Sequence, residues 1–160
     1  MKKILLVIAA TLALSISAFA QREFVPYATL GVSSRVDGFF DNIAHPGAVV
    51  AAGFRNYNQD AFVSFTYGAE VFTNITPLSE GVLFGAYAIP QIGVAIGPSV
   101  FKVHLYSGFM MGYNNEIKSM SIGLKNGLSF DISDHITLDF STYYPFTATW
   151  ISAINFIWRF

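Results

Sequence analysis

The residues of this 160-residue chain that could do acid–base, ionic or nucleophilic chemistry are few: charged side chains make up 12%, there are three histidines, and there is no cysteine. The charged ones fall in a pattern. Arg35, Arg55, Glu70, Lys102, Lys125, Asp131, Asp139 and Arg159, with His104, all occupy the polar phase of segments whose other phase is apolar. Side chains of both signs sharing one enclosed interior could form a narrow ion or proton path, or could pair into a polar plug. Pairing is the expectation, because an isolated buried charge is too costly to keep. Nucleophilic chemistry has less support. The nearest approach of histidine to serine is His104-Leu105-Tyr106-Ser107, which in an extended chain puts the two on opposite faces. His45 near Asp41 and His135 beside Asp134 lack a serine placed for a nucleophile–base pair. No metal-ligand spacing and no glycine-rich phosphate loop is visible, so no catalytic residue, cofactor or metal is expected.

The elements that must hold these residues are strands. The sharpest is 150–160, where Trp150, Ser152, Ile154, Phe156, Trp158 and Phe160 alternate with Ile151, Ala153, Asn155, Ile157 and Arg159. Strict period two with four aromatics on one face describes a strand whose outer side meets lipid, with aromatics at the hydrocarbon–headgroup boundary. The same alternation predicts strands over 24–36, 47–56, 61–73, 82–101, 100–113, 118–132 and 136–144. Leu30, Val50, Val71, Ile92, Phe109, Leu124 and Phe140 point outward, and the charged set points inward. The apolar run 82–101 contains Pro90, Pro98 and three glycines and is poor helix material; a bulge is expected at Pro90. Eight antiparallel strands of this length suit a closed barrel crossing a bilayer, because an open edge in lipid would strand backbone polar groups.

On this pattern, and on the outward Phe156, Trp158 and terminal Phe160, the chain resembles the small outer-membrane β-barrels of diderm bacteria, of the OmpA-transmembrane and OmpX type. The resemblance implies an all-β, eight-stranded antiparallel up-and-down transmembrane barrel. It also implies that Phe160, Trp158 and Phe156 are the signal read by the barrel-assembly machinery. Its other expected partners are outer-membrane lipid and lipopolysaccharide, and the barrel is expected to be monomeric. Some small barrels of this kind are lipid A-modifying enzymes, the deacylases with a His-x-Ser-Asn motif. The text around His104 misses that spacing and lacks the Asn, so the chain is not expected to be an enzyme.

Residues 1–20 read as a secretory signal peptide, with Met1-Lys2-Lys3 basic, 4–16 apolar and Ala18-Phe19-Ala20 as the cleavage site. This leaves 21–160 as one barrel domain. Its 140 residues (160 minus 20) carry seven basic side chains (nine minus Lys2 and Lys3) against ten acidic, a net −3 that offers no case for nucleic acid. With the C-terminus on the periplasmic side, turns near 57–59, 97–99 and 133–135 face the periplasm, and loops 37–46, 74–80, 114–117 and 145–149 face outward. The first of these shows Phe39, Phe40 and Ile43, which fit a surface contact or the headgroup layer. An eight-stranded barrel is just wide enough to be filled by its inward side chains. Lys102, Asp131, Asp139 and Arg159 are expected to form one ionic cluster, with Arg55 reaching across it, Lys102 opposite Ser129 and Asp139 beside Ser129. Glu70, Lys125 and Arg35 complete the inward charges. The functional expectation is a small structural outer-membrane barrel that mediates surface interactions through short loops. The alternatives are a narrow ion channel and, behind it, a lipid A-modifying enzyme.

Overall fold

A computed structural model describes residues 24–36, 44–56, 61–99 and 101–160. The signal segment, most of the first outer loop and the 57–60 turn lie outside these residues. Eight strands follow in chain order: β1 (Phe24–Val36), β2 (Ala44–Asn56), β3 (Val63–Leu78), β4 (Gly81–Ile96), β5 (Val103–Asn114), β6 (Ser119–Asp131), β7 (Ile136–Pro145) and β8 (Trp150–Arg159). Each pairs antiparallel with its sequence neighbour, and β8 pairs with β1 to close the barrel. The near end holds the start of β1 and the end of β8. The far end holds the 79–80, 115–118 and 146–149 connections.

The inside-out character read from the sequence is present strand by strand. Leu30, Phe65, Ile92, Met120, Phe156 and Phe160 are exposed on the outer wall, with Phe160 at 72% and Phe65 at 71%. The buried inner face carries Arg35, Arg55, Glu70, Lys102, Lys125, Asp131 and Asp139. Only a hydrocarbon solvent makes this distribution favourable: in water, such a wall would expose apolar side chains and bury charged ones. The molecule is a transmembrane β-barrel.

Direct pairing carries the wall from Ser34 through Ser152, Thr142, Asn126, Ser107 and Ile92 to Tyr67. Extending the β2–β3 register by one residue to Asn56 then returns it to Phe24 on β1, ten residues (34 minus 24) from the start. That stagger tilts the strands roughly 35–45° from the barrel axis.

Two expectations are corrected. Segment 74–80 is not a loop: β3 and β4 pair as far as Leu78↔Gly81, with only Ser79 and Glu80 between them. Pro77 is tolerated because it lies beyond the last β2 pairing, Ala48↔Ile75, where one side of β3 has no ladder to break. Gly81 takes the positive φ of 151° that so short a turn requires. There is also no bulge at Pro90. Pairing with β5 lapses between Ala88↔Met111 and Gln91↔Gly108 and resumes in the same register, while Ala69↔Pro90 on the other side is intact. The missing N–H is absorbed as a gap in the ladder, without an extra residue.

Candidate functional site

Among the described residues the inward charges share the lumen, and it is stratified. At the far end Arg35 pairs with Glu116, which also accepts from Thr149 Oγ1 at 2.9 Å. Asn114 Nδ2 donates to Tyr87 Oη at 2.9 Å just inside. Next comes an apolar layer of Val49, Phe72, Ile89, Met110, Tyr143 and Ile151, all buried. Phe72 and Tyr143 project from opposite sides of the barrel and stack with ring centroids 3.9 Å apart and planes 13° apart. This layer occupies the bore.

Below it, Lys125 Nζ donates to Glu70 Oε1 at 2.6 Å, with both side chains almost wholly buried. Tyr27 Oη donates to Glu70 Oε2 at 2.8 Å, and Gln91 Nε2 donates to Tyr27 Oη at 2.6 Å. Lys125 Nζ also lies 5.0 Å from the Tyr106 ring centroid and 5.2 Å from that of Tyr143. The carboxylate thus has two direct partners, a cation and a phenol, and an amide on a fourth strand holds the phenol in turn. This is the satisfaction a buried pair needs to offset its desolvation.

The near half holds the remaining charges in separate groups. Asp139 accepts from Tyr106 Oη at 2.6 Å and from Asn155 Nδ2 at 2.9 Å. Asp131 faces Arg159 Nη1 at 3.1 Å and His104 Nε2 at 3.1 Å, and accepts from Thr137 Oγ1 at 2.8 Å. Lys102 Nζ turns to the carbonyl oxygen of Ala61. Arg55 lies over the rings of Tyr106, at 4.7 Å, and Tyr27, at 5.6 Å. The four residues expected in one ionic cluster are therefore divided. Asp131 and Arg159 come together, Asp139 is held by neutral donors, and Lys102 is held by a backbone carbonyl. The register accounts for only part of this. His104, not Lys102, pairs with Ser129, which takes Lys102 away from Asp139 and sets it opposite Asp131, whose N–H donates to its carbonyl; the Lys102 ammonium nonetheless turns to Ala61, and Arg159 takes Asp131. Asp139 does pair with Ser129.

Gly127 shows how the backbone makes room for this network. A Cβ there would meet Cε1 of Tyr106 at 2.6 Å, so glycine lets that ring lie flat on the wall and reach Asp139. His104 and Ser107 lie on opposite faces of β5: the histidine is buried on Asp131, and the serine is exposed and donates to Asn126 Oδ1 at 2.9 Å. Among the described residues no group of three or more His, Cys, Asp or Glu could hold a metal ion. The residues that the charge pattern did not single out are the neutral ones completing each group: Tyr27, Gln91, Tyr106, Thr137 and Asn155. Their inward phase was the only available signal. Phe156, Trp158 and Phe160 lie exposed on the outer wall.

The fold and its lumen define a closed eight-stranded up-and-down transmembrane barrel filled by its own side chains. No protein-family model and no curated protein matches the chain. Among solved structures, it is similar to Ail, the attachment invasion locus protein of Yersinia pestis, determined in complex with the heparin analogue sucrose octasulfate. The two are 14% identical, the match covers 86% of this chain and 99% of that one, and the TM-score is 0.47.

Proposed function

We propose that this protein is a small structural barrel of the bacterial outer membrane, delivered by the signal segment 1–20, with the far end facing outward and available for surface contacts. The observation that carries this reading is the Phe72–Tyr143 stack, which lies across the bore with the Glu70–Lys125 pair beneath it. An aqueous path would need polar, hydrated walls along its whole length, and the apolar layer interrupts them. The lipid-facing wall suits outer-membrane lipid and lipopolysaccharide as its surroundings, and a single closed barrel is complete as a monomer. The expected result in planar bilayers is negligible conductance. A steady, large conductance from the folded protein would replace the structural reading with the channel.

In the same reading, Phe156, Trp158 and Phe160 form the outward strip met by the barrel-assembly machinery. Phe160→Asp places a charge at the lipid boundary and removes an aromatic from that strip. Assembled barrel in outer-membrane fractions, scored as the band that shifts on boiling, is expected to fall several-fold while export of the chain is unchanged. Undiminished assembly would remove the strip from the proposal.

A further inference from the structure

The outer wall has one feature that a purely apolar coat does not explain. Ser34, Ser152, Thr142, Asn126 and Ser107 all face outward, and each pairs directly with the next across β1, β8, β7, β6 and β5. The result is a continuous line of short, uncharged, hydrogen-bonding side chains crossing five strands. On its near side runs an equally registered apolar line, Val32, Ile154, Phe140, Leu128 and Leu105. On its far side stand Trp150, Tyr144, Leu124 and Phe109. The short side chains and the near-side apolar line leave a groove, a depression of about 970 Å³ whose lining includes all five polar residues and continues over Ile92, Val94 and Phe65 on β4 and β3, with the far-side aromatics standing above it.

The position of the groove restricts what it fits. At its upper end Ser34 pairs with Ser152, which is two residues from Trp150; Trp150 packs edge-on against Tyr144 with ring centroids 4.5 Å apart, and such an aromatic pair marks the headgroup boundary of the far leaflet. Its Ser107 end lies midway along the outward face of β5, between Phe101 and Tyr113, at the centre of the hydrocarbon layer. The groove therefore descends obliquely from the far-leaflet interface to the bilayer midplane. Polar groups at that depth have no water to turn to, and among the described residues Ser107 and Asn126 are the pair of this line seen to hydrogen-bond one another. A second barrel is a poor occupant. With strands tilted roughly 35–45°, two such grooves related by a two-fold axis along the membrane normal would cross near a right angle and meet at a single point. A slender, flexible chain can follow the whole line.

We propose that this groove binds the acyl chain of a far-leaflet lipid that carries oxygen along its length, as a hydroxyl or an ester, with the Ser/Thr/Asn line hydrogen-bonding those oxygens and the flanking apolar lines holding the methylenes. The proposal rests on the membrane-barrel reading, and the test separates the two. The folded protein would be exchanged into bilayers containing equal amounts of two phospholipids, identical except for a 3-hydroxyl on the acyl chains, and the lipid retained after extraction would be weighed by native mass spectrometry. Retention is expected to favour the hydroxylated lipid by about tenfold, as one or two net hydrogen bonds would give. The preference should vanish in Thr142→Val with Asn126→Leu, changes that keep the wall filled and apolar. Equal retention of both lipids by a properly inserted wild-type barrel would overturn the groove assignment while leaving the barrel intact. So would a preference that survives the double variant, or a stable dimer that the variant dissolves. Failure to insert at all would instead sink the membrane reading itself; Thr142→Ser, which keeps the hydroxyl, should retain the preference.

Discussion

Glu70→Ala should destabilise the barrel more than any other single charge removal. It leaves the Lys125 ammonium buried beneath the apolar layer with its 2.6 Å partner gone and the Tyr27 hydroxyl without its acceptor. Breaking a buried pair by deleting one member costs roughly 3–5 kcal/mol, because the survivor keeps its desolvation penalty without the compensating attraction. The measurement is the unfolding midpoint in urea, which is expected to fall sharply. Glu70→Ala combined with Lys125→Met should recover much of the loss, since both charges are then absent and Met is flexible enough to fill the space between the Tyr106 and Tyr143 rings. An unchanged midpoint in the single variant would mean that water or a neighbouring group replaces Glu70 at no cost, and the lumen would then be wetter than its packing implies.

The second large effect is expected from Phe72→Ala. Phe72 has no exposed surface and stacks on Tyr143, with the Tyr87 ring tilted beside it at 6.1 Å. Deleting a buried Phe side chain costs about 3–5 kcal/mol, the spread reflecting how far the surroundings collapse into the void. Here collapse is restricted. The bore is set by eight strands and a stagger of ten, and neither changes without breaking the ladder of at least one strand pair, so the side chains must move while the wall stays. The midpoint should fall, and a small conductance should appear that the wild type lacks, limited by the Glu70–Lys125 layer below. Phe72→Leu should lose less than half as much stability and stay closed. A Phe72→Ala barrel as stable and as tight as the wild type would show that the stack does not seal the lumen.

How far the molecule could be read in advance depended on what each feature rests on. Strand phase is a property of one segment. Alternation through 150–160 is enough to put Arg159 inside and Trp158 outside, and the same test placed Glu70 and Lys125 inward. Closure followed from the solvent: eight lipid-facing strands have nowhere else to put their edges. What local pattern could not supply was relative height between strands. The inner face of β5 repeats every two residues, so Lys102 and His104 are equally good partners for Ser129 on periodicity, and the turn geometry at 115–118 decides between them. From that two-residue difference follows the separation of Lys102 from Asp139; it sets Lys102 opposite Asp131, and the turn of its ammonium to Ala61 keeps those two side chains apart. The segment Asn74-Ile75-Thr76-Pro77-Leu78 misled for a related reason. Its composition is that of a turn, and only the pairing with β4 out to Gly81 keeps it extended. The neutral partners of the charges were unreadable because a tyrosine or asparagine in the inward phase looks the same whether it meets a carboxylate or fills space.

The seam between β1 and β8 sets this barrel apart from a simple run of hairpins. Seven of the eight pairings join strands that follow one another directly, while the eighth joins residues such as Leu30 and Phe156, 126 positions apart (156 minus 30). Every other pairing can form as soon as its own turn does; this one must wait until the rest of the sheet has brought its two edges round. Chain entropy adds little to that delay, since each doubling of a loop adds only about 0.6 kcal/mol. The wait is one of sequence in time. Until the seam closes, both edge strands present unpaired backbone, and in the membrane that gives the open sheet a short permissible lifetime and a strong drive to zip the ten residue pairs of the seam together. Substitutions along β1 and β8 should therefore act on the rate at which the barrel is completed, and those on β3 to β6 on how long it lasts afterwards.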